Sequence, residues 1–173
     1  MVFHKILVPY DSSAASNRAL SRAFEIAKMC HESERIRKYG GFISITLLHV
    51  LQEIPVPHAV IGSPLRVLYQ KTGEQITIQE YLREVYKEMK VDAIKMLDRK
   101  AREYMSNIED IKVNPKVTVG LPADKIIEMA TEENVDLIVI GTTGLKGVAK
   151  IKALGSVARN VSERAKCPVM LVR

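Results

Sequence analysis

Three short apolar runs constrain the fold more than anything else in the chain. They are "KILVPYD" from Lys5, "FISITLLHV" from Phe42 to Val50, and "VDLIVIG" from Val135 to Gly141. Each is strand-length and rich in β-branched or large aliphatic residues, and each leads into glycine, proline or acidic residues. The segments between them have a different period. In "DSSAASNRALSRAFEIAKMC", Ala19, Leu20, Ala23, Phe24, Ala27 and Cys30 recur at helical spacing, with Ser12 or Ser13 placed to cap. From about Thr77 to Ile108, Leu82, Val85, Met89, Ala93, Leu97, Ala101, Met105 and Ile108 step by three or four, which predicts one long amphipathic helix.

The C-terminal half continues the alternation. "KVNPKVTVG" reads as a strand, "PADKIIEMATEENV" as a helix with Pro122 in its first turn, about Ser156 to Ala165 as another helix, and "PVMLVR" as a last strand. Strands alternating with helices imply right-handed crossovers. The expected fold is α/β: an open five-stranded parallel sheet with helices on both faces, Rossmann-like. The stretch "LQEIPVPHAVIGSPLRVLYQKTGEQ", with three prolines and two glycines, is too broken for a long regular element. It reads as a loop or lid, about 51–80, inside a single domain spanning 1–173.

Composition narrows the function classes. A chain of 173 residues can bury a proper core without metal or disulfide staples. Its longest apolar runs fall far short of the ~20 residues that cross a bilayer, so no membrane partner is expected. The N-terminus shows no signal-peptide pattern, which predicts an intracellular, cytoplasmic protein. Cys30 and Cys167 lie outside any C-x-x-C pattern. His4, His31, His49 and His58 have no metal-ligand spacing, and His49, inside a buried strand, reads as a satisfied structural histidine. Glu132, Glu133 and Asp136, just before a buried strand, read as solvated. The net charge of +6 is concentrated between Gly141 and Lys166, where six basic residues face the single acid Glu163. No aromatics are interleaved there, so nucleic acid is not the expected partner.

In open doubly wound sheets, ligands bind beyond the carboxyl ends of the strands where the strand order reverses. For a five-strand order of this type that point flanks the first strand, which directs attention to Asp11 and Gly141. The loop after Gly141 has neither G-x-x-x-x-G-K-[ST] nor G-x-G-x-x-G. It offers Gly141 and Gly144, then Gly155-Ser156-Val157 opening a helix. Unpaired amides at a helix start make an anion site, and the Ser156 hydroxyl adds to it. The other reading of the same residues is a strand-to-loop turn at Gly141 and Gly144 with Ser156 as a capping serine.

Taken together, "KILVPYD", "TLLHV", "VGLPADKII", "DLIVIGTTG", "GSVARNV" and "CPVMLVR" resemble the universal stress protein family over essentially the whole chain. The resemblance implies a fold like that of the adenine nucleotide α-hydrolases. It also implies binding of ATP or another adenine nucleotide, with Mg²⁺ or Mn²⁺ held mainly by the phosphates. By the same resemblance, Gly141 with Gly144 and Gly155 with Ser156 hold the phosphates, and Val157 adds a backbone amide. Pro9 and Asp11 border the adenosine, and Val50 offers backbone groups to the adenine. Ten residues separate Gly144 from Gly155, one more than the family pattern, and Thr143 stands where relatives often carry His or Arg. A regulatory or stress-response role follows, with at most slow ATP hydrolysis, because the loop shows no water-positioning base or arginine finger. "PYDSSAAS" lacks the S-G-G-x-D-S and H-x-G-H motifs of enzymes with a similar fold. The alternative is a dimeric interaction protein that binds no nucleotide. The final apolar strand, expected at a sheet edge, predicts a homodimer, and the resemblance points the same way.

Overall fold

The computed structural model describes residues 3–32, 42–60, 63, 65–105, 111–142 and 154–173. Strand β1 (Lys5–Pro9) leads to helix α1 (Ala14–His31), then β2 (Ile43–Leu51), a hairpin of β3 (Arg66–Tyr69) and β4 (Glu74–Thr77), and α2 (Ile78–Met105). There follow β5 (Ile111–Val119), α3 (Pro122–Glu132), β6 (Leu137–Gly141), α4 (Ser156–Arg164) and β7 (Val169–Val172). Five strands form one sheet in the order β5-β2-β1-β6-β7, with every pairing parallel. This is the open α/β architecture that the alternating pattern predicts.

Both faces of the sheet are covered, which is why its central strands lack polar alternation. Ile6 and Val8 of β1 and Ile43, Ile45 and Leu47 of β2 meet Ala19, Leu20, Ala23, Phe24 and Ala27 of α1 and Leu97 of α2 on one face. Leu7, Leu48, Ile138 and Ile140 meet Ile126 and Ala130 of α3 and Ala158 and Val161 of α4 on the other. Each fully buried Leu, Ile or Val contributes about 1.5–3 kcal/mol of apolar burial. The alanines of α1 keep that helix close to the sheet, and Phe24 stacks on Tyr104 of α2 with ring centroids 4.6 Å apart.

The helix ends follow local chemistry. Ser13, one of the two serines expected to cap, receives the amide of Ser16 on its hydroxyl at 3.0 Å. Helix α2 opens with a reciprocal box: the Glu80 amide donates to Thr77 Oγ1, and the Glu80 carboxylate accepts the Thr77 amide at 2.9 Å. The Thr77 amide and the Thr77 hydroxyl, both donating to that carboxylate, hold the Glu80 carboxyl below its ordinary value. The predicted loop or lid is therefore partly structured, since it carries the β3–β4 hairpin. The hairpin is tied to α2 by Lys71 and Tyr69, which both donate to Glu88 and lower its pKa.

The junction between α3 and β6 is built most closely. Asn134 adopts a left-handed φ of 51°; its amide donates to Thr131 O, and that of Val135 to Ala130 O. This is the Schellman geometry, with asparagine in the usual glycine position. Lys5 Nζ donates to Glu133 O at 2.8 Å, a cation at the negative end of the helix. The Asp136 carboxylate accepts the amides of His4 and Lys5, both at 2.8 Å, while its own amide donates to Lys5 O. Glu133 accepts the hydroxyl of buried Thr46 at 2.7 Å and pairs with Lys116. The expectation that Glu133 and Asp136 are merely solvated is thus corrected: both tie α3 and β6 to the strands beside them. Removing the Asp136 carboxylate orphans two charge-assisted bonds. Asp136→Ala is expected to lower the unfolding free energy by about 2 kcal/mol, read from the urea midpoint at unchanged slope; an unmoved midpoint would place the β1–β6 registration elsewhere.

Candidate site at the carboxyl ends of β1, β2 and β6

Strands β1 and β6 are neighbours, with Ile6 opposite Leu137 and Leu7 opposite Ile138, yet their following helices α1 and α4 cover opposite faces. The strand order therefore reverses between them, as the sequence reading requires. The carboxyl ends of β2, β1 and β6 bring Val50, Pro9 with Asp11, and Gly141 to one edge of the sheet.

The loop after β1 is held from three directions. The Tyr10 amide donates to Leu48 O at 2.8 Å, and the Tyr10 carbonyl lies 2.7 Å from His49 Nδ1. From α1, Asn17 Nδ2 donates to Ser13 O at 2.9 Å, while Asn17 Oδ1 accepts the Tyr10 hydroxyl at 3.0 Å. From α2, Met96 Sδ lies 2.9 Å from Ser12 Oγ. Within the loop, Asp11 Oδ1 accepts the Ser13 amide at 3.0 Å, an Asx turn that orients the carboxylate. Ser12 carries a φ of 66°, a conformation that costs a residue with a side chain on the order of 1 kcal/mol. The reading of His49 as a satisfied structural histidine agrees with its contact to Tyr10 O.

Gly141 has a packing reason that sequence reasoning missed. A Cβ there would lie 2.7 Å from the carbonyl carbon and 2.9 Å from the oxygen of Ala15, so α1 enters against the end of β6 through the space a side chain would fill. Freedom to approach a ligand is not needed to explain this glycine.

Beyond Gly141, the Thr142 amide donates to Val172 O of β7, and Thr142 O accepts the Gly155 amide at 2.8 Å. That second bond brings the start of α4 to the end of β6. Gly155, rather than Ser156, is the N-cap residue, in extended conformation (φ −59°, ψ 149°), and Ser156 is the first helical residue. Because the Gly155 amide is taken by Thr142, the anion-binding capacity of this turn rests on the amides of Ser156 and Val157 and on the exposed Ser156 hydroxyl. Val157 is half-buried against the α3–α4 core. Gly144 and the lysines at 146, 150 and 152 lie outside the described residues.

A separate cleft of about 330 Å³ lies at the opposite edge of the sheet, lined among others by Thr131, Asn134, Asp136, Lys166 and Cys167. Burial raises the Cys167 thiol, which makes it a poor nucleophile at neutral pH. Among the described residues, no group of three His, Cys, Asp or Glu side chains could hold a metal, and no helix is long and apolar enough to cross a membrane.

The sequence profile of the universal stress protein family matches residues 42–173. The chain belongs to that family. Universal stress protein YxiE of Bacillus subtilis is 31% identical over 99% of this chain and 100% of its own length, so the likeness also takes in β1 and α1. Among solved structures, universal stress protein UspA from Lactobacillus plantarum shares the fold with a TM-score of 0.73 at 23% identity, covering 100% of this chain and 99% of its own. A universal stress protein crystallised in complex with cAMP aligns with a TM-score of 0.58 at 22% identity, covering 100% and 98%.

If Gly141 serves packing, it must be needed in the ligand-free protein. Gly141→Ala is expected to cost about 1–3 kcal/mol, seen as a lowered denaturation midpoint without nucleotide; full stability would return the residue to a purely ligand-facing role.

Proposed function

We propose that this universal stress protein binds an adenine nucleotide, ATP or a close relative, in the crevice where β1 and β6 part, and that occupancy serves a regulatory, stress-response role. The observation that carries the reading is the bond from the Gly155 amide to Thr142 O. It joins the amino end of α4 to the carboxyl end of β6, beside the acidic loop that follows β1. One edge of the crevice thus offers anion-binding amides and a hydroxyl at Ser156 and Val157, and the other offers Asp11 and Pro9 to a nucleoside. Val50 gives backbone groups to the adenine, and Gly141 and Gly144 bound the phosphate side. Mg²⁺ or Mn²⁺ is carried mainly by the phosphates. The family member solved with cAMP lends support to an adenine ligand.

The packing of Gly141 against Ala15 favours a second reading, a dimeric interaction protein without nucleotide, because one glycine of the pattern needs no ligand to explain it. Protein purified from cells, denatured and analysed by mass spectrometry separates the two readings. The first expects co-purified adenine nucleotide, and ATP affinity lowered at least about tenfold in Gly155→Val, where a branched side chain crowds the phosphate approach. No bound nucleotide and no measurable affinity would leave the interaction protein.

We further propose a homodimer through β7. This strand lies at the sheet edge with Met170 and Leu171 exposed, an apolar ladder open to a second copy. Met170→Asp is expected to give monomer by light scattering, whereas an unchanged dimer would point to another surface.

A further inference from the structure

His49 stands inside β2 with its ring against the loop that follows β1. A carbonyl oxygen can only accept, so the 2.7 Å contact between Nδ1 and Tyr10 O requires the proton on Nδ1. The Tyr10 amide is already fixed on Leu48 O. Both polar groups of the Tyr10 backbone are thereby held by consecutive residues of β2, and the next residue along the chain is Asp11. Downstream, Asp11 Oδ1 is engaged by the Ser13 amide and Ser12 is held in the left-handed region. The direction of the Asp11 carboxylate thus depends on where the Tyr10 carbonyl is set.

We propose that His49 is a positioning residue of the candidate nucleotide site: its Nδ1–H, anchored on the Tyr10 carbonyl, sets the β1–α1 loop so that Asp11 faces the nucleoside. This rests on the adenine-nucleotide reading above, in which Asp11 touches the ligand and His49 does not. The chemistry makes a sharp distinction between amide replacements. The side-chain nitrogen of asparagine is as many bonds from the backbone as Nδ1 and can keep the donor in place, whereas glutamine places its nitrogen where Nε2 lies.

Isothermal titration of ATP into wild type, His49→Asn, His49→Gln, Asp11→Ala and the His49→Gln/Asp11→Ala double variant tests the proposal. His49→Gln should weaken ATP about tenfold, the net worth of one hydrogen bond, and His49→Asn should stay close to wild type. In the Asp11→Ala background His49→Gln should cost nothing further, because its effect runs through Asp11. Wild-type affinity in His49→Gln, or the same loss in both backgrounds, would overturn the proposal. Two measurements need no ligand: nitrogen NMR of the His49 ring should show Nδ1 protonated, and amide exchange in His49→Gln should quicken at Asp11 to Ser13 ahead of the sheet. A ring protonated on Nε2 alone, or unchanged exchange at that loop, would equally overturn it. A wild type that takes no adenine nucleotide, with both ligand-free results as expected, sinks the proposed function and leaves His49 as the setter of the loop.

Discussion

The carboxylate of Asp136 accepts two successive backbone amides at the start of β1, and the placement of everything at the far edge of the sheet depends on that grip. Sheet registration is all-or-none in its consequences, because a slip of one residue turns every side chain to the opposite face. With Asp136 on His4 and Lys5, Ile6 must lie opposite Leu137 and Leu7 opposite Ile138. Ile6 and Leu137 then face α1, while Leu7 and Ile138 face α3 and α4. The same registration brings the end of β6 beside the loop after β1. The Schellman turn at Asn134 and the ammonium of Lys5 on Glu133 O reinforce it from the helix side. An interaction at the amino edge of the sheet thus determines the crevice at its carboxyl edge.

At that crevice the backbone is held before any ligand arrives. Tyr10 is fixed by β2 and α1, Ser12 by α2, and Ser13 by α1. A non-glycine residue in the left-handed region persists only where its surroundings over-determine it, and Ser12 meets that condition. A loop held in this way would spare a ligand the cost of ordering several residues. In the other half of the crevice, Thr142 donates its amide to Val172 O and accepts the Gly155 amide on its carbonyl, so that β7, β6 and the start of α4 are joined at one residue.

What was legible in the sequence was whatever repeats with a short period. The apolar runs of β1, β2 and β6 and the three-and-four spacing of α1 and α2 dictated the layers, and a known rule about strand order then pointed to Asp11 and Gly141. Contacts between distant residues left no such trace. Asp136 and Glu133 look like ordinary surface acids because their partners are His4, Lys5, Thr46 and Lys116, brought near only by the fold. Gly141 looks like a ligand glycine because nothing in its neighbourhood in sequence reveals that Ala15 occupies its Cβ position. The exchange of roles between Gly155 and Ser156 is a different case, since glycine and serine both serve at a helix cap. The Thr77–Glu80 box, by contrast, is legible as T-x-x-E at the point where the predicted long helix begins.

The two edges of the sheet differ in a way that bears on assembly. Among the described residues, both β5 and β7 have one unpaired side. Along β5, Pro115 lacks an amide to offer, and proline within a sheet is confined almost wholly to edges. Lys112, with its ammonium 4.0 Å from the Phe42 ring centroid, and Lys116, paired to Glu133, add charge on the same strand. Such residues discourage a second strand from pairing there. Strand β7 carries none of these features in "VMLV", and both Met170 and Leu171 are exposed. If two copies join sheet to sheet, the sequence of the edges selects β7 over β5. Since β7 also receives the Thr142 amide on Val172 O, pairing at that edge would bear directly on the strand to which the candidate phosphate loop is tied.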